Sequence, residues 1–319
     1  MQAARFTGAL AVAFSAIALV ARFQPVSSLP RLVLSVGATF VPLIALGGLT
    51  LALLSRRRLL SVLAAVVFAA TLAIQVSWYW AGRPSAAGPY VEVRVLASNL
   101  FKGRADAASF VETARDADLV TVAELTPEAI ERLNRAGIAE RFPYSSLFAM
   151  SGVGGVGVWS RYPLTAMSEP RHRNVLIPAV RVRLPGVEFE PVVAAVHVMS
   201  PVAGDQNTVA DWRQGMEAAE AQLDNFARAA GAGAVIVGGD YNSTPDMRQF
   251  RDLLTNGYTD AVNQTGSGYA PTFPSNASIP PVITIDHVLT RNAAASSVRT
   301  VTITGSDHRA VFAVVRVPR

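Results

Sequence analysis

The chain has 319 residues, of which 51% are hydrophobic and only 16% charged, and a formal net charge of +5. Seven of the 28 basic residues fall within residues 1–86, which hold no Asp or Glu; the other 21 face 23 acidic residues, so residues 87–319 carry a net −2 and give no charge argument for nucleic acid. No cysteine is present, which excludes disulfides, thiolate zinc sites and cysteine nucleophiles.

Three apolar runs open the chain: Phe6–Ala21, Leu32–Leu54 and Leu59–Trp80. A spanning helix needs roughly 20 apolar residues, and the second and third runs meet that length without a charge. The first is shorter and reads as a third span or as the h-region of a signal peptide. Arg5 gives only a thin n-region and no clear small-x-small cleavage site follows, which favours the span. Arg56, Arg57 and Arg58 fill the tight turn between the second and third runs, and positive loops stay cytoplasmic. The third span therefore runs outward, and everything after Trp80 is expected on the extracytoplasmic side. Trp78, Tyr79 and Trp80 read as an interfacial aromatic anchor. Residues 1–80 thus form a membrane region, and Ala81–Pro89 (AGRPSAAGP) reads as a short flexible linker.

From residue 90 the texture changes to short β-branched runs alternating with amphipathic helices, which predicts a mixed α+β domain over residues 90–319. Strands are predicted at Val91–Ala97, Asp118–Ala123, Val153–Trp159, Val175–Leu184, Phe189–Met199, Val282–Leu289, Val298–Ile303 and Ala310–Val317. Helices are predicted at Ala105–Ala117, Pro127–Ala136 with Thr126 as N-cap, Asp211–Ala230 and Met247–Asn256. Between the last two helices runs AVIVGGDYNSTPD, Ala234–Asp246. Its apolar half reads as a buried strand, and the two glycines as a tight turn at that strand's end. Asp240 and Asn242, two apart, then point to one side. Alone, the stretch reads equally as a capped turn or as a site holding a cation and a water. The polar residues Asn99, Glu124, Asp240, Asn242 and Asp307 all fall at strand ends or just beyond, and His197 lies late in a strand. Gly154–Gly157 (GGVG) reads as a glycine-rich strand turn and not a phosphate loop, since no Lys-Ser/Thr follows.

The segments VRVLASNLF, LVTVAEL, VVAAVHVMSP, VIVGGDYNSTPD, TIDHVLT and GSDHRAVFAVV, in that order over Val91 to Val317, resemble the successive motifs of the endonuclease/exonuclease/phosphatase superfamily. The resemblance does not reach residues 1–89. It implies a four-layer α/β/β/α sandwich, here preceded by two or three transmembrane helices. It implies metal-dependent phosphoester hydrolysis, with Mg²⁺ as the expected ion and Mn²⁺ as a substitute. Glu124 becomes the principal ligand, Asn99 helps place metal and phosphate, and Asp307 completes the metal site. Asp240 would orient or deprotonate the attacking water, with Asn242 holding it or a phosphate oxygen. His308 would contact the phosphate as base or cation, and Asp286 would orient His308. Which of Asp240 and His308 takes the proton stays open. His197 matches the deoxyribonuclease and sphingomyelinase branches, where it stabilises phosphoryl oxygens or protonates the leaving group. Adjacent strand residues face opposite ways, so His287 is expected to be structural beside Asp286; His172 is expected at the surface. Lys102 is the sole lysine and the loop Ser200–Asp211 has no basic cluster, so a membrane-tethered enzyme acting on a lipid head group or small phosphoester is preferred. The alternatives are an exported nuclease and an inactive membrane-tethered binding module.

Overall fold

A computed structural model describes residues 2–83, 88–167, 177–203 and 206–319. The N-terminal region is a bundle of α1 (Gln2–Ala21), α2 (Leu29–Val36), α3 (Val41–Leu54) and α4 (Arg58–Tyr79), with a 3₁₀ turn at Gly37–Phe40 joining α2 to α3. α1, α2–α3 and α4 make three helical runs long and apolar enough to cross a membrane. α1 is packed, not pendant. It crosses α3 where Gly8 faces Leu51 and Gly48 faces Ala11 and Val12, and a Cβ on either glycine would come within 3.0–3.1 Å of its neighbour. Such small-residue crossings let helix backbones approach where lipid supplies no hydrophobic drive. Outward, Leu10, Phe14, Ile17, Leu43, Val62 and Val66 belong to a belt of exposed large apolar side chains.

The remainder is β1 (Tyr90–Asn99), α5 (Ala107–Thr113), β2 (Leu119–Ala123), α6 (Pro127–Arg135), α7 (Ile138–Arg141), β3 (Tyr144–Phe148), β4 (Val156–Ser160), β5 (Leu164–Ala166), β6 (Ala179–Val182), β7 (Val192–His197), a small hairpin of β8 (Val202–Ala203) and β9 (Gln206–Asn207), α8 (Val209–Ala230), β10 (Val235–Asp240), α9 (Arg248–Asp252), β11 (Thr259–Asp260), α10 (Ala261–Thr265), β12 (Asp286–Arg291), β13 (Ala294–Thr302) and β14 (Arg309–Pro318). Two six-stranded sheets result, ordered β13-β14-β1-β2-β4-β3 and β11-β12-β10-β7-β6-β5. Between them lies a core of Val95, Val158, Val193, Ile236, Val311 and their neighbours. Outside the first sheet, Phe110, Leu133, Ile138 and Phe142 of the α5–α7 side close a second core. Outside the second, α8 turns Trp212, Met216, Leu223 and Phe226 inward. Their helical spacing makes the amphipathic face that buries it. The four-layer α+β sandwich is therefore present. Asp106 and Thr126 cap α5 and α6 by accepting from Ser109 N–H (2.8 Å) and Ala129 N–H (3.2 Å).

Three details differ from the sequence reading. Gly238 and Gly239 lie inside β10 instead of ending it, and a Cβ at Gly239 would sit 2.0 Å from the Val196 carbonyl of the neighbouring strand. Close approach, and not a turn, demands glycine there. The aromatic anchor is mostly docked: Tyr79 is buried edge-on to Tyr269 (5.1 Å between centroids) and Trp78 meets Phe250 (6.4 Å), leaving Trp80 exposed. The described start of the linker is tied down as well, since Arg83 N–H donates to Gln264 O (2.8 Å) and Gly268 N–H to Tyr79 O (2.7 Å); residues 84–87 lie outside the described residues.

One buried carboxylate binds bundle to sandwich. Asp246, 2% exposed, accepts from Arg22 Nε (2.6 Å), Thr39 Oγ1 (3.0 Å) and Gln75 Nε2 (3.2 Å). Each of the three helical runs contributes one donor. A buried charge is tolerable only when paired and hydrogen-bonded in this way.

Candidate active site

Strand register delivers the polar groups. β10 lies between β7, parallel, and β12, antiparallel, and the pairing sets Asp240 beside both His197 and Asp286. Residues in register on adjacent strands share a face, so three functional side chains from distant parts of the sequence become neighbours. On the facing sheet, Asn99 ends β1 opposite Ala123 at the end of β2, and Glu124 follows immediately. Glu124 (φ 57°) and Asn242 (φ 47°) are both left-handed, as are Phe101 (φ 49°) and Lys102 (φ 52°). Non-glycine residues in that region cluster at functional sites, where surrounding structure holds them. Glu124 is held from behind. Leu125 N–H donates to Gly155 O (3.0 Å), and a Cβ at Gly155 would collide with the Leu125 carbonyl at 1.8 Å. That close approach is what the GGVG segment serves.

The hydrogen bonds form one network. Asn99 Nδ2 donates to Glu124 Oε1 (3.1 Å) and Asp240 Oδ2 (3.0 Å), while its Oδ1 accepts from Phe101 N–H (2.8 Å). Lys102 N–H donates to Glu124 Oε2 (2.6 Å). Asn242 donates its backbone N–H to Asp240 Oδ1 (2.8 Å) and its Nδ2 to Asp240 Oδ2 (3.2 Å) and Val198 O (2.9 Å). His197 Nδ1 meets Val153 O at 2.7 Å, which places the proton there and turns Nε2 to Glu124 (3.7 Å) and Asp240 (3.8 Å). His308 Nδ1 meets Asp286 Oδ2 at 2.8 Å, and its Nε2 looks toward Asp240 (3.8 Å) and Asp307 (3.9 Å).

Burial and charge shift the titrations apart. Burial, with the Asp286 charge adding to it, pushes Asp240 up to about 6 against the pull of His308 and His197. Burial opposes a charged His308, but Asp286 and Asp240 overcome it and lift the imidazole to about 10. Burial likewise raises Asp307.

Glu124, His197, Asp240, Asn242, Asp307 and His308 line a single cavity of about 790 Å³. Asp286 sits behind His308, and Asn99 is fully buried beneath Glu124 and Asp240. The eight candidate residues are thus one constellation. Asn99 accepts from Phe101 N–H with its oxygen and turns its NH₂ to both carboxylates. His287 points the other way, between Asp260 Oδ2 (2.7 Å) and Ser243 O (3.0 Å). His172 lies outside the described residues. Sequence reasoning used Lys102 only as a charge count, although it lines the cavity next to the β1 motif. It missed Leu32 and Val36 of α2 altogether, and both line the same cavity.

The donors suit a hard divalent cation. Among the described residues, ligand atoms of Asp240, Asp286 and His308 lie within 4.8 Å of one another; Asp286 Oδ2 is taken by His308 Nδ1 at 2.8 Å, and Asp286 Oδ1 is buried without a hydrogen-bond partner. Glu124 and Asp307 offer the better oxygens. Both face the cavity, and Asp307 Oδ1 is buried with no hydrogen-bond partner. Carboxylate oxygens of this kind hold Mg²⁺-like ions, which keep several waters.

The model of the endonuclease/exonuclease/phosphatase family matches residues 96–308. The chain belongs to that family. Its members are metal-dependent phosphoester hydrolases, and this endonuclease/exonuclease/phosphatase-family chain is an enzyme of that class. Among solved structures, humanised D. rerio TDP2 bearing 14 mutations is similar at a TM-score of 0.55 and 16% identity, covering 70% of this chain and 98% of its own. Beta toxin from Staphylococcus aureus is similar at 0.51 and 17%, covering 69% and 99%. An endonuclease/exonuclease/phosphatase from Beutenbergia cavernae is similar at 0.52 and 18%, covering 71% and 72%. At these identities the likeness is one of fold. No curated protein matches the sequence.

Proposed function

We propose that this enzyme is a membrane-anchored, Mg²⁺-dependent phosphoesterase that hydrolyses a lipid phosphoester on the extracytoplasmic side. The carrying observation is the composition of the cavity. Among its described lining residues there is one lysine and no arginine, against an apolar majority that includes Leu32, Val36, Met199, Met247, Ile283 and Ile285. Nucleic-acid backbones demand several Lys and Arg contacts, and such a lining does not supply them.

Glu124 and Asp307 would hold the cation, which when bound neutralises charge on the phosphoryl oxygens. Asp240, backed by Asn242 and Asn99, faces the cavity as an acceptor and orients the attacking water, taking its proton. His308 stands among Asp240, Asp286 and Asp307, a setting that keeps it cationic and suits it to a phosphoryl oxygen. His197 presents Nε2 from the opposite side and serves the phosphoryl oxygens or the leaving group. The eight residues are all retained, which speaks against an inactive tethered module.

The arginines support this sidedness. Arg5, Arg57 and Arg58 share the end of the bundle remote from the sandwich, while Arg22 at the near end is neutralised by Asp246. Positive ends stay cytoplasmic, which favours the sandwich outside although Arg31 at the near end counts against it, and the contacts of α1 support its retention as a third span. Because the chain has no cysteine, a Glu188→Cys variant gives a clean reading: a membrane-impermeant maleimide should label it in intact cells, and labelling only after permeabilisation would reverse the topology. For the substrate, full-length protein in mixed micelles with Mg²⁺ should hydrolyse phospholipids in preference to plasmid DNA. DNA cleavage without lipid turnover would make it an exported nuclease.

A further inference from the structure

α2 divides its residues by the helical period. Leu29 (38% exposed) and Val33 (69% exposed) look outward with the apolar belt of the bundle. Leu32 (5% exposed) and Val36, one turn apart, look into the catalytic cavity. Across from them stand Met199, Met247, Ile283 and Ile285. The cavity therefore has a charged floor made of strand ends and an apolar wall one helix thick, with the lipid-facing belt on that helix's far side. Its volume of about 790 Å³ is far more than a phosphate group fills. Pro30 opens α2, and the 3₁₀ turn at Gly37–Phe40 separates it from α3. In that turn Thr39 bonds Asp246 (3.0 Å), four residues beyond Asn242. The wall is thus tied to the strand end that carries Asp240.

We propose that Leu32 and Val36, with Met199, Met247, Ile283 and Ile285, form a subsite for the aliphatic chain of the substrate, seated while its phosphate rests on the polar floor. The subsite rests on the phosphoesterase reading above and adds what that reading lacks, a reason for chain-length selectivity. The occupant follows from continuity: the same cavity is apolar toward the bilayer side and ionic toward the catalytic groups, which matches an amphiphile with one phosphate and one chain. A sugar-phosphate or a small hydrophilic ester would leave the wall uncovered.

The test uses full-length protein in detergent and a series of p-nitrophenyl alkyl phosphodiesters, methyl to octyl, kept below their aggregation concentrations. In the wild type kcat/KM should rise with chain length, by up to about four-fold per methylene that enters the subsite. Leu32→Ser should lower the octyl-to-methyl ratio of kcat/KM roughly ten-fold, a readout that a mere loss of folded enzyme does not move. Val36→Phe, which fills the wall, should shift the best chain to a shorter one. A flat series in the wild type, or ratios unchanged in both variants, would overturn the subsite while leaving the phosphoesterase intact. Calorimetric titration with methyl- and octylphosphonate gives the second arm. Equal affinities would overturn the subsite regardless of turnover, whereas chain-dependent binding without hydrolysis of any ester would uphold it and remove the phosphoesterase reading instead.

Discussion

The floor and the wall of the catalytic cavity are built by different physics. The floor is a product of register: His197, Asp240 and Asp286 stand side by side because three strands pair in one alignment, and a slip of one residue would turn each to the other face. The wall is a product of docking. Leu32 and Val36 face the cavity because the bundle docks on the sandwich, through Asp246 and through contacts such as Trp78 on Phe250 and Tyr79 on Tyr269. A floor fixed by backbone hydrogen bonds tolerates nothing; a wall fixed by side-chain packing can be tuned. On the proposed reading, chemistry belongs to the first and selectivity to the second.

The largest effect should come from the floor. Asp240→Ala removes the acceptor that Asn99 and Asn242 both address, and hydrolysis should fall at least ~10³-fold on every ester, short-chain or long, in a steady-state assay. Chelation should do the same to the wild type and Mg²⁺ should reverse it, since Asp307 Oδ1 has no hydrogen bond and faces His308 Nε2 only at 3.9 Å. If the variant or the chelated enzyme keeps turnover within ten-fold of the starting value, the division of labour between floor and wall is wrong.

The joint between the two comes next. Arg22→Ala leaves Asp246 hydrogen-bonded only by neutral donors, with Arg251 the remaining cation nearby, and removing one partner of a buried pair costs about 3–5 kcal/mol. Thermal unfolding in detergent, followed by tryptophan fluorescence, should show a clear loss of stability, with the chain-length preference weakened in the surviving enzyme. An unchanged melting temperature would mean that the bundle is held by its other contacts, without the Arg22–Asp246 pair.

The two parts also differed in how far the sequence disclosed them. The floor was legible because each residue sits in a local motif beside an apolar run: SNLF, AEL, GGDYN, IDH and SDH all mark strand ends. The same runs predicted a mixed α+β domain, and the family resemblance of the motifs implied the two-sheet sandwich. Short or exposed strands were not legible: β3 reads YSSLF with two serines, and β5 is three residues long, so neither alternates enough to declare itself. The wall was hidden for another reason. In an apolar run, a residue that faces lipid and one that faces a cavity look alike, and only the tertiary docking of α2 separates Leu32 from Val33. Asp246 read as part of a turn, and nothing local announced three donors from the membrane helices. Asn99 shows the opposite lesson. Its motif was visible, but whether an amide ligates or positions depends on which end its neighbours claim, and Phe101 N–H claims the oxygen.

The smallest effect belongs to Lys102, which lies between floor and wall. Its backbone N–H is part of the floor through Glu124 (2.6 Å), while its exposed side chain carries the chain's sole ammonium to the cavity. These two contributions are separable. Lys102→Gln retains the backbone bond and removes only an exposed charge, so the loss should be an attraction worth at most about five-fold, screened by salt. The expected outcome is a KM raised a few-fold at low ionic strength with kcat unchanged, the difference vanishing at high salt. If kcat instead falls as far as in Asp240→Ala, the ammonium touches the reacting phosphate, and the floor extends one residue further than its strand ends.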